Sequence, residues 1–316
     1  MDEETDFLWR CALTEQNHRY ELEDITPDRE DSPTQFIESV FDPLSMEIEG
    51  NVKYNNPETL EVIVREIREY GVLDTIGGEV WEASIILSSY FLLYPTTLNN
   101  FHTFLELGCG VSLPSLVLCN MLLKNKCGKK HIIVSDNDAR ILNNVVSILK
   151  AQFSTSQISL ESSINNIQFH VLPIDWNDFQ DENFDLKFLP SSNSIFLYGA
   201  ALCYSPYHCV LADMINSLIK KYNLKEIIIL QISDRVGFDK FLNRLQHFGI
   251  AYNLESVPQE CYDYAKYVVT SEKCPDDLVT KIYSFPYILP VQIDYENPKV
   301  ILSTPRHSFV MVRCRL

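Results

Sequence analysis

The chain is short of glycine, with 10 in 316 residues, so the close pair at Gly108 and Gly110 stands out, and more so for what does not follow it. A dinucleotide-binding turn would place a third glycine at position 113, where Leu113 stands, so a nicotinamide or flavin pyrophosphate loses its usual cradle. No Gly-Lys-Ser/Thr triplet follows, which excludes the phosphate loop of nucleoside triphosphatases. The nine cysteines form no Cys-x-x-Cys pair and no zinc-ligand spacing. Cys109, Cys119, Cys203 and Cys209 lie in apolar surroundings and read as small core residues. No apolar run approaches the roughly 18 residues of a membrane span, and Met1-Asp2-Glu3-Glu4-Thr5-Asp6 lacks the basic stretch that opens a signal peptide. These absences predict a protein of a reducing compartment, cytosol or nucleus, holding no metal and engaging no membrane.

Positive charge is also scarce. Lys and Arg number 26 against 43 Asp and Glu, for a net charge of −17, and residues 1–50 carry 15 acids, three arginines and no lysine. Such a surface repels nucleic-acid phosphates and attracts a basic partner, or it solvates an acidic tail that keeps the protein soluble. Hydrophobic content of 46% with 22% charged residues is that of an ordinary globular protein.

What is present centres on Phe104-Leu105-Glu106-Leu107-Gly108-Cys109-Gly110, an apolar run that ends in an acid and two alternate glycines. With a helical segment over 111–123 behind it, this is a strand, a glycine turn and a helix, and it predicts a ligand at the strand's carboxyl end. His131-Ile132-Ile133-Val134-Ser135-Asp136 reads as a neighbouring strand tipped by a carboxylate, able to accept from both hydroxyls of a ribose. Asp138 reads instead as the N-cap of the next helix. The ligand is then adenosine-like and carries no polyphosphate. Strands at 104–107, 132–136, 167–174, 195–199 and 226–232 alternate with helices at 111–123, 139–152, 209–222 and 238–248, the pattern of a doubly wound parallel sheet. Upstream, Pro57 with Leu60, Ile63, Val64 and Ile67, closed by Gly71, predicts an amphipathic helix. Gly77-Gly78 breaks the chain, and 79–93 reads as a buried helix. Residues 33–41 contain strand-like fragments, and 251–257 and 308–316 read as two further strands.

These residues resemble the seven-β-strand S-adenosylmethionine (SAM) methyltransferases, and among them the eukaryotic "family 16" protein methyltransferases, which modify lysine and in some relatives arginine or histidine. Three further blocks carry the resemblance: Val80-Trp81-Glu82-Ala83-Ser84, Ile174-Asp175-Trp176, and Phe196–Tyr204, the last lying where the family has its fourth strand and an acid-x-x-tyrosine motif. The resemblance spans roughly residues 78–250. It implies a Rossmann-like, mostly parallel seven-stranded α/β sheet with helices on both faces and an antiparallel last strand. Residues 57–316 then form the methyltransferase domain, with 258–307 as an insertion before that strand and 1–56 as an acidic appendage.

The activity implied is methylation of a protein substrate with a lysine-bearing or basic surface by a monomeric enzyme, with SAM as cofactor and S-adenosylhomocysteine as product. The resemblance puts Gly108, Gly110 and Ala200 against the cofactor and Glu106 at its methionine end, unless that buried acid pairs with a backbone donor instead. Asp136 falls to the ribose, Asp175 and Trp176 to the adenine, unless Trp176 is only a core tryptophan, and Trp81 to the sulfonium or to the core. Tyr204 is the catalytic candidate, while His170 and His208 read as structural histidines. One departure stands out: the acid of the acid-x-x-tyrosine motif falls on Ala201, so the carboxylate that orients the target amine is absent. Asp178, Asp234, the acidic front segment or an insertion residue would have to replace it, or the chain is a binding module with the fold and without the transfer. The Ile174-Asp175-Trp176 and 201–206 blocks resemble the branch acting on translation factors, whereas Gly110–Pro114 resembles an arginine-modifying relative.

Overall fold

The computed structural model describes residues 44–49, 59–67, 76–125, 129–153, 166–177, 194–203, 208–273, 278–286 and 308–316. Its centre is a sheet in which β3 (Thr103–Glu106), β4 (Lys130–Asp136), β5 (Asn166–Pro173), β6 (Ile195–Ala200) and β7 (Leu224–Ile232) run parallel. The last strand, β11 (Phe309–Arg315), lies antiparallel between β7 and β8 (Asn253–Ser256). In the order β5-β4-β3-β6-β7-β11-β8 these seven strands form the expected mostly parallel sheet with an antiparallel last strand. An eighth strand, β1 (Leu44–Glu49), joins it antiparallel at the β5 edge.

Helices cover both faces because the central strands are apolar on both faces, as a parallel sheet requires. Phe104, Ile132, Phe169 and Phe196 pack with α1 (Glu82–Leu93), α2 (Leu113–Lys124) and α3 (Ala139–Phe153). On the opposite face Leu105, Ile133, Leu197 and Ile229 pack with α4 (His208–Lys221) and α5 (Phe238–His247). Each boundary lies within about three residues of its sequence prediction, the ordinary uncertainty of helix and strand ends.

The region before the glycine break differs from its prediction. Residues expected as a helix from Pro57 to Gly71 form β2 (Thr59–Ile67), which buries Leu60, Val62, Val64 and Glu66, every second residue. The apolar positions fit both periods. The β-branched run Val62-Ile63-Val64 favours the pleated form, and a partner strand decides it. That partner comes from the segment read as an insertion. Beyond α6 (Gln259–Ala265), β9 (Val269–Lys273) and β10 (Leu278–Pro286) form a three-stranded antiparallel sheet in the order β2-β10-β9. The buried Glu66 is held across it by Lys281 at 2.7 Å and the Tyr283 hydroxyl at 3.2 Å. On its other edge β2 is covered by amides of α3: Gln152 Oε1 accepts from Ile63 N–H at 2.7 Å, and Asn144 Nδ2 donates to Arg65 O at 2.8 Å. The strand-like fragments at 33–41 lie outside the described residues.

Candidate functional site

Segments far apart in the chain converge at the carboxyl ends of β3, β4 and β6. After Glu106 the chain turns through Gly108 and Gly110, at φ +53° and +50°, with Ser112 also left-handed at 59°. A Cβ on Gly108 would stand 2.9 Å from Leu202 Cδ2 and 3.4 Å from Trp176 Cζ2, and one on Gly110 would stand 2.9 Å from the Gly77 carbonyl oxygen. Glycine is therefore required twice over, by backbone conformation and by space. The neighbours that impose it are the chain's own: the loop after β6, the Asp-Trp block and the Gly77-Gly78 break all press on this turn.

Glu106 is 2% exposed. Its Oε2 accepts from the hydroxyls of Ser112, at 3.3 Å, and Ser115, which also lies 2.5 Å from the Tyr198 hydroxyl. Burial pushes the carboxyl up to about 8, and the serine hydroxyls only partly offset it. The acid is thus paired with the side-chain hydroxyls of Ser112 and Ser115 and with the backbone N–H of Ser115, and its raised carboxyl favours the protonated form at neutral pH. Ser112, placed to cap α2, makes no cap bond because its hydroxyl is turned to Glu106. Pro114 in the first turn helps α2 start instead.

Asp136, at the tip of β4, is half-buried and already oriented. Oδ2 accepts from Gly110 N–H and Oδ1 from Asp138 N–H, both at 3.1 Å. Burial raises its carboxyl while these two bonds pull it down. A carboxylate offers about four lone-pair sites, so both oxygens keep capacity for further donors. Asp138 accepts from Arg140 N–H at 2.8 Å at the start of α3, the geometry of an N-cap. Asp175 takes both Asn177 bonds, from N–H and Nδ2 at 2.8 Å, on Oδ1, which leaves Oδ2 for another donor. Trp176 is 9% exposed and packs among Leu105, Leu107, Leu172 and Leu202. Trp81, by contrast, is 40% exposed at the N-terminus of α1. One residue on, Glu82 Oε2 is buried with no hydrogen-bond partner.

At the neighbouring edge Ala200 ends β6, and Ala201 turns left-handed at φ 57°, a conformation that Asp and Asn adopt more readily than alanine. The backbone at the missing-acid position is thus one that suits an acid. Asp234 is exposed, beyond the end of β7. Tyr204, Tyr207 and Asp178 lie outside the described residues. His170 stacks on His131 with an Nε2···Nδ1 distance of 3.2 Å, both buried within β4 and β5, in keeping with a structural role. Among the described residues no group of His, Cys, Asp or Glu has the makings of a metal site, and no helix is long and apolar enough to cross a membrane.

Sequence reasoning missed four participants. Gly77 was read only as a break, yet it backs Gly110. Ser115 and Tyr198 complete the Glu106 cluster, and the spacing of Ser112 and Ser115, one turn of α2 apart, was the signal for the first of them. Gln231 is the single polar residue in the apolar run 227–232, and its partners appear only in three dimensions.

A sequence model described as lysine methyltransferase matches residues 61–247, more than half of the chain. The chain belongs to the lysine methyltransferase family. It is accordingly a SAM-dependent methyltransferase. Among solved structures, the methyltransferase is similar to a SAM-dependent methyltransferase from Clostridium acetobutylicum (13% identity over 73% of this chain and 91% of that one, TM-score 0.35). It is also similar to the methyltransferase domain of a bacterial CtHen1 (12%, 64% and 98%, TM-score 0.36) and to the N-terminal domain of human METTL16 in complex with S-adenosylhomocysteine (11%, 66% and 72%, TM-score 0.34). Comparison with curated proteins returns no match.

The residues present fit SAM. A left-handed glycine turn and two carboxylates with acceptor capacity left over at adjacent strand tips together offer acceptors to ribose hydroxyls and to arriving N–H groups.

Proposed function

We infer that the methyltransferase modifies lysine on a protein of the cytosol or nucleus. The observation that carries this reading is the family match across residues 61–247, which includes the glycine turn, the Asp-Trp block and the loop after β6. A net charge of −17 supports a basic protein acceptor over a nucleic acid, whose phosphates it would repel. In this reading Asp136 accepts from the ribose, Asp175 and Trp176 take the adenine, Gly108, Gly110 and Ala200 line the turn, and Glu106 and Trp81 serve the methionine and sulfonium end. SAM supplies an electrophilic methyl group on a positively charged sulfur. The chain's task is then positional: it must hold the acceptor nitrogen about 3 Å from the methyl carbon and in line with the leaving sulfur. A lysine amine, with a pKa of roughly 10.4 in water, must also shed a proton before it attacks, and a desolvating channel lowers that value. Tyr204 is the residue assigned to the acceptor. Residues 57–316 act as the catalytic domain and 1–56 as an acidic appendage suited to a basic substrate.

The test is to incubate the protein with isotopically labelled SAM and a lysate from cells lacking it, then locate the label by mass spectrometry. Label on lysine of one or a few proteins is expected. Label on arginine or histidine would redirect the acceptor assignment, label on RNA would overturn it, and SAM binding without any label would make the chain a binding module.

A further inference from the structure

Where β6 ends, the manner in which the chain leaves the sheet determines where the acceptor side of the site begins. The ladder to β7 runs to Ala200 opposite Leu230, and Ala201 N–H adds a last bond to Leu230 O at 2.7 Å. Ala201 then turns left-handed, which a residue with a Cβ does only when its surroundings compel it. Two residues further on, one side chain pairs with both polar groups of the backbone. Gln231, fully buried on β7, accepts from Cys203 N–H through Oε1 at 3.0 Å and donates through Nε2 to Cys203 O at 3.2 Å. A primary amide is the side chain that offers one donor and one acceptor side by side, so it substitutes for a strand where the strand has ended. Its presence in the run Ile227-Ile228-Ile229-Leu230-Gln231-Ile232 is otherwise unfavourable, since a buried amide is tolerated only when its polar atoms are paired. Both are paired with the loop. Between the two anchored residues, Leu202 packs on Gly199 and against the Gly108 turn, so the loop held by Gln231 also forms one wall of the cofactor turn.

We propose that Gln231 is the positioning residue of the acceptor loop: its amide clamps the Cys203 backbone, keeps Ala201 in its left-handed turn, and so fixes the point from which the chain carrying Tyr204 departs. This rests on the reading of that edge as the acceptor side of a protein methyltransferase. Gln231 acts only through the loop.

The test uses two variants of the full chain. Gln231→Met keeps the bulk and removes both hydrogen bonds. In Gln231→Glu an ionised carboxylate accepts from Cys203 N–H but opposes Cys203 O, whereas the protonated acid restores one donor and one acceptor. Methyl transfer from labelled SAM into lysate should fall at least about tenfold in Gln231→Met, with S-adenosylhomocysteine affinity by calorimetry falling severalfold less, since Leu202 alone joins this loop to the cofactor turn. Gln231→Glu should be equally impaired at high pH and recover toward wild type, compared at the same pH, as the pH is lowered to 6. Hydrogen exchange should show the Cys203 amide losing protection in Gln231→Met while amides of β3 and β4 keep theirs. Wild-type transfer in both variants, a loss of cofactor affinity proportional to the loss of transfer, or an unchanged Cys203 amide would each overturn the proposal. If the wild-type protein labels no lysine, the acceptor assignment fails separately, and the exchange of the Cys203 amide decides for or against the clamp.

Discussion

Around β3 and β4 the polar groups are organised by backbone close at hand: Asp136 is aimed by the N–H groups of Gly110 and Asp138, and Asp175 by Asn177 two residues on. Around β6 and β7 a side chain does the organising. The loop at Ala201–Cys203 is held by a glutamine 28 residues later and seated on a glycine turn nearly a hundred residues earlier. The first arrangement tolerates little change because the turn itself is strained and crowded. The second concentrates its control in a few side chains; in the proposed function the first is the cofactor half and the second the acceptor half.

The sharpest way to break that contrast is at the turn. Gly110→Arg introduces a Cβ 2.9 Å from Gly77 O at a φ of +50°, with about 1–2 kcal/mol of conformational cost alone. It should abolish the rise in melting temperature that SAM gives the wild type. A wild-type melting curve unmoved by saturating SAM, with calorimetry also silent, would remove the cofactor side of the comparison altogether.

Trp176→Ala comes next. Truncating an aromatic in so enclosed a place should destabilise the fold by about 3–5 kcal/mol in urea titration, and SAM affinity should fall by about 1–3 kcal/mol if adenine stacks there. Lost stability with intact affinity would assign Trp176 to the core alone. Tyr204→Ala should reduce transfer by about ten- to a hundredfold and leave SAM affinity nearly unchanged. An equal fall in both would erase the division between the two halves.

A pH series separates roles within the cofactor half. With its carboxyl pushed up to about 8, Glu106 is protonated at neutral pH in the ligand-free protein. That raised value contributes stability fully present below the ordinary carboxylate range and lost as pH rises through about 8. If an arriving ammonium requires the ionised form, SAM affinity should climb by up to about tenfold per pH unit toward 8 and then level off. Glu106→Gln should flatten the profile, and a flat wild-type profile would mean that Glu106 stays protonated on binding. The smallest expected change is Ala201→Asp. The left-handed backbone already suits the acid, so stability should shift by less than about 1 kcal/mol. Methyl transfer should change severalfold in either direction, and no change at all would detach position 201 from the acceptor.

The parallel sheet, its alternating helices and the acids at its strand tips were readable from the sequence, because each depends on a local pattern: apolar runs of strand length, two alternate glycines, an acid where a strand stops. The helix expected at 57–71 fails for the same reason in reverse. Leu60, Ile63, Val64 and Ile67 satisfy a helical stripe, and only a partner more than two hundred residues away, β10, makes Leu60, Val62 and Val64 the buried set. The sequence alone determined that the chain turns sharply at Gly108–Gly110 and what kind of ligand such a turn excludes, since backbone conformation is a property of the residues in it. Tertiary structure decided that Gly77, Trp176 and Leu202 close around that turn, that Glu106 is paired with hydroxyls and protonated, and that Gln231 holds the loop after β6. The serine partners of Glu106 lie close in the chain, but its burial and the contacts of Gly77, Trp176, Leu202 and Gln231 depend on segments far apart, which no local pattern encodes.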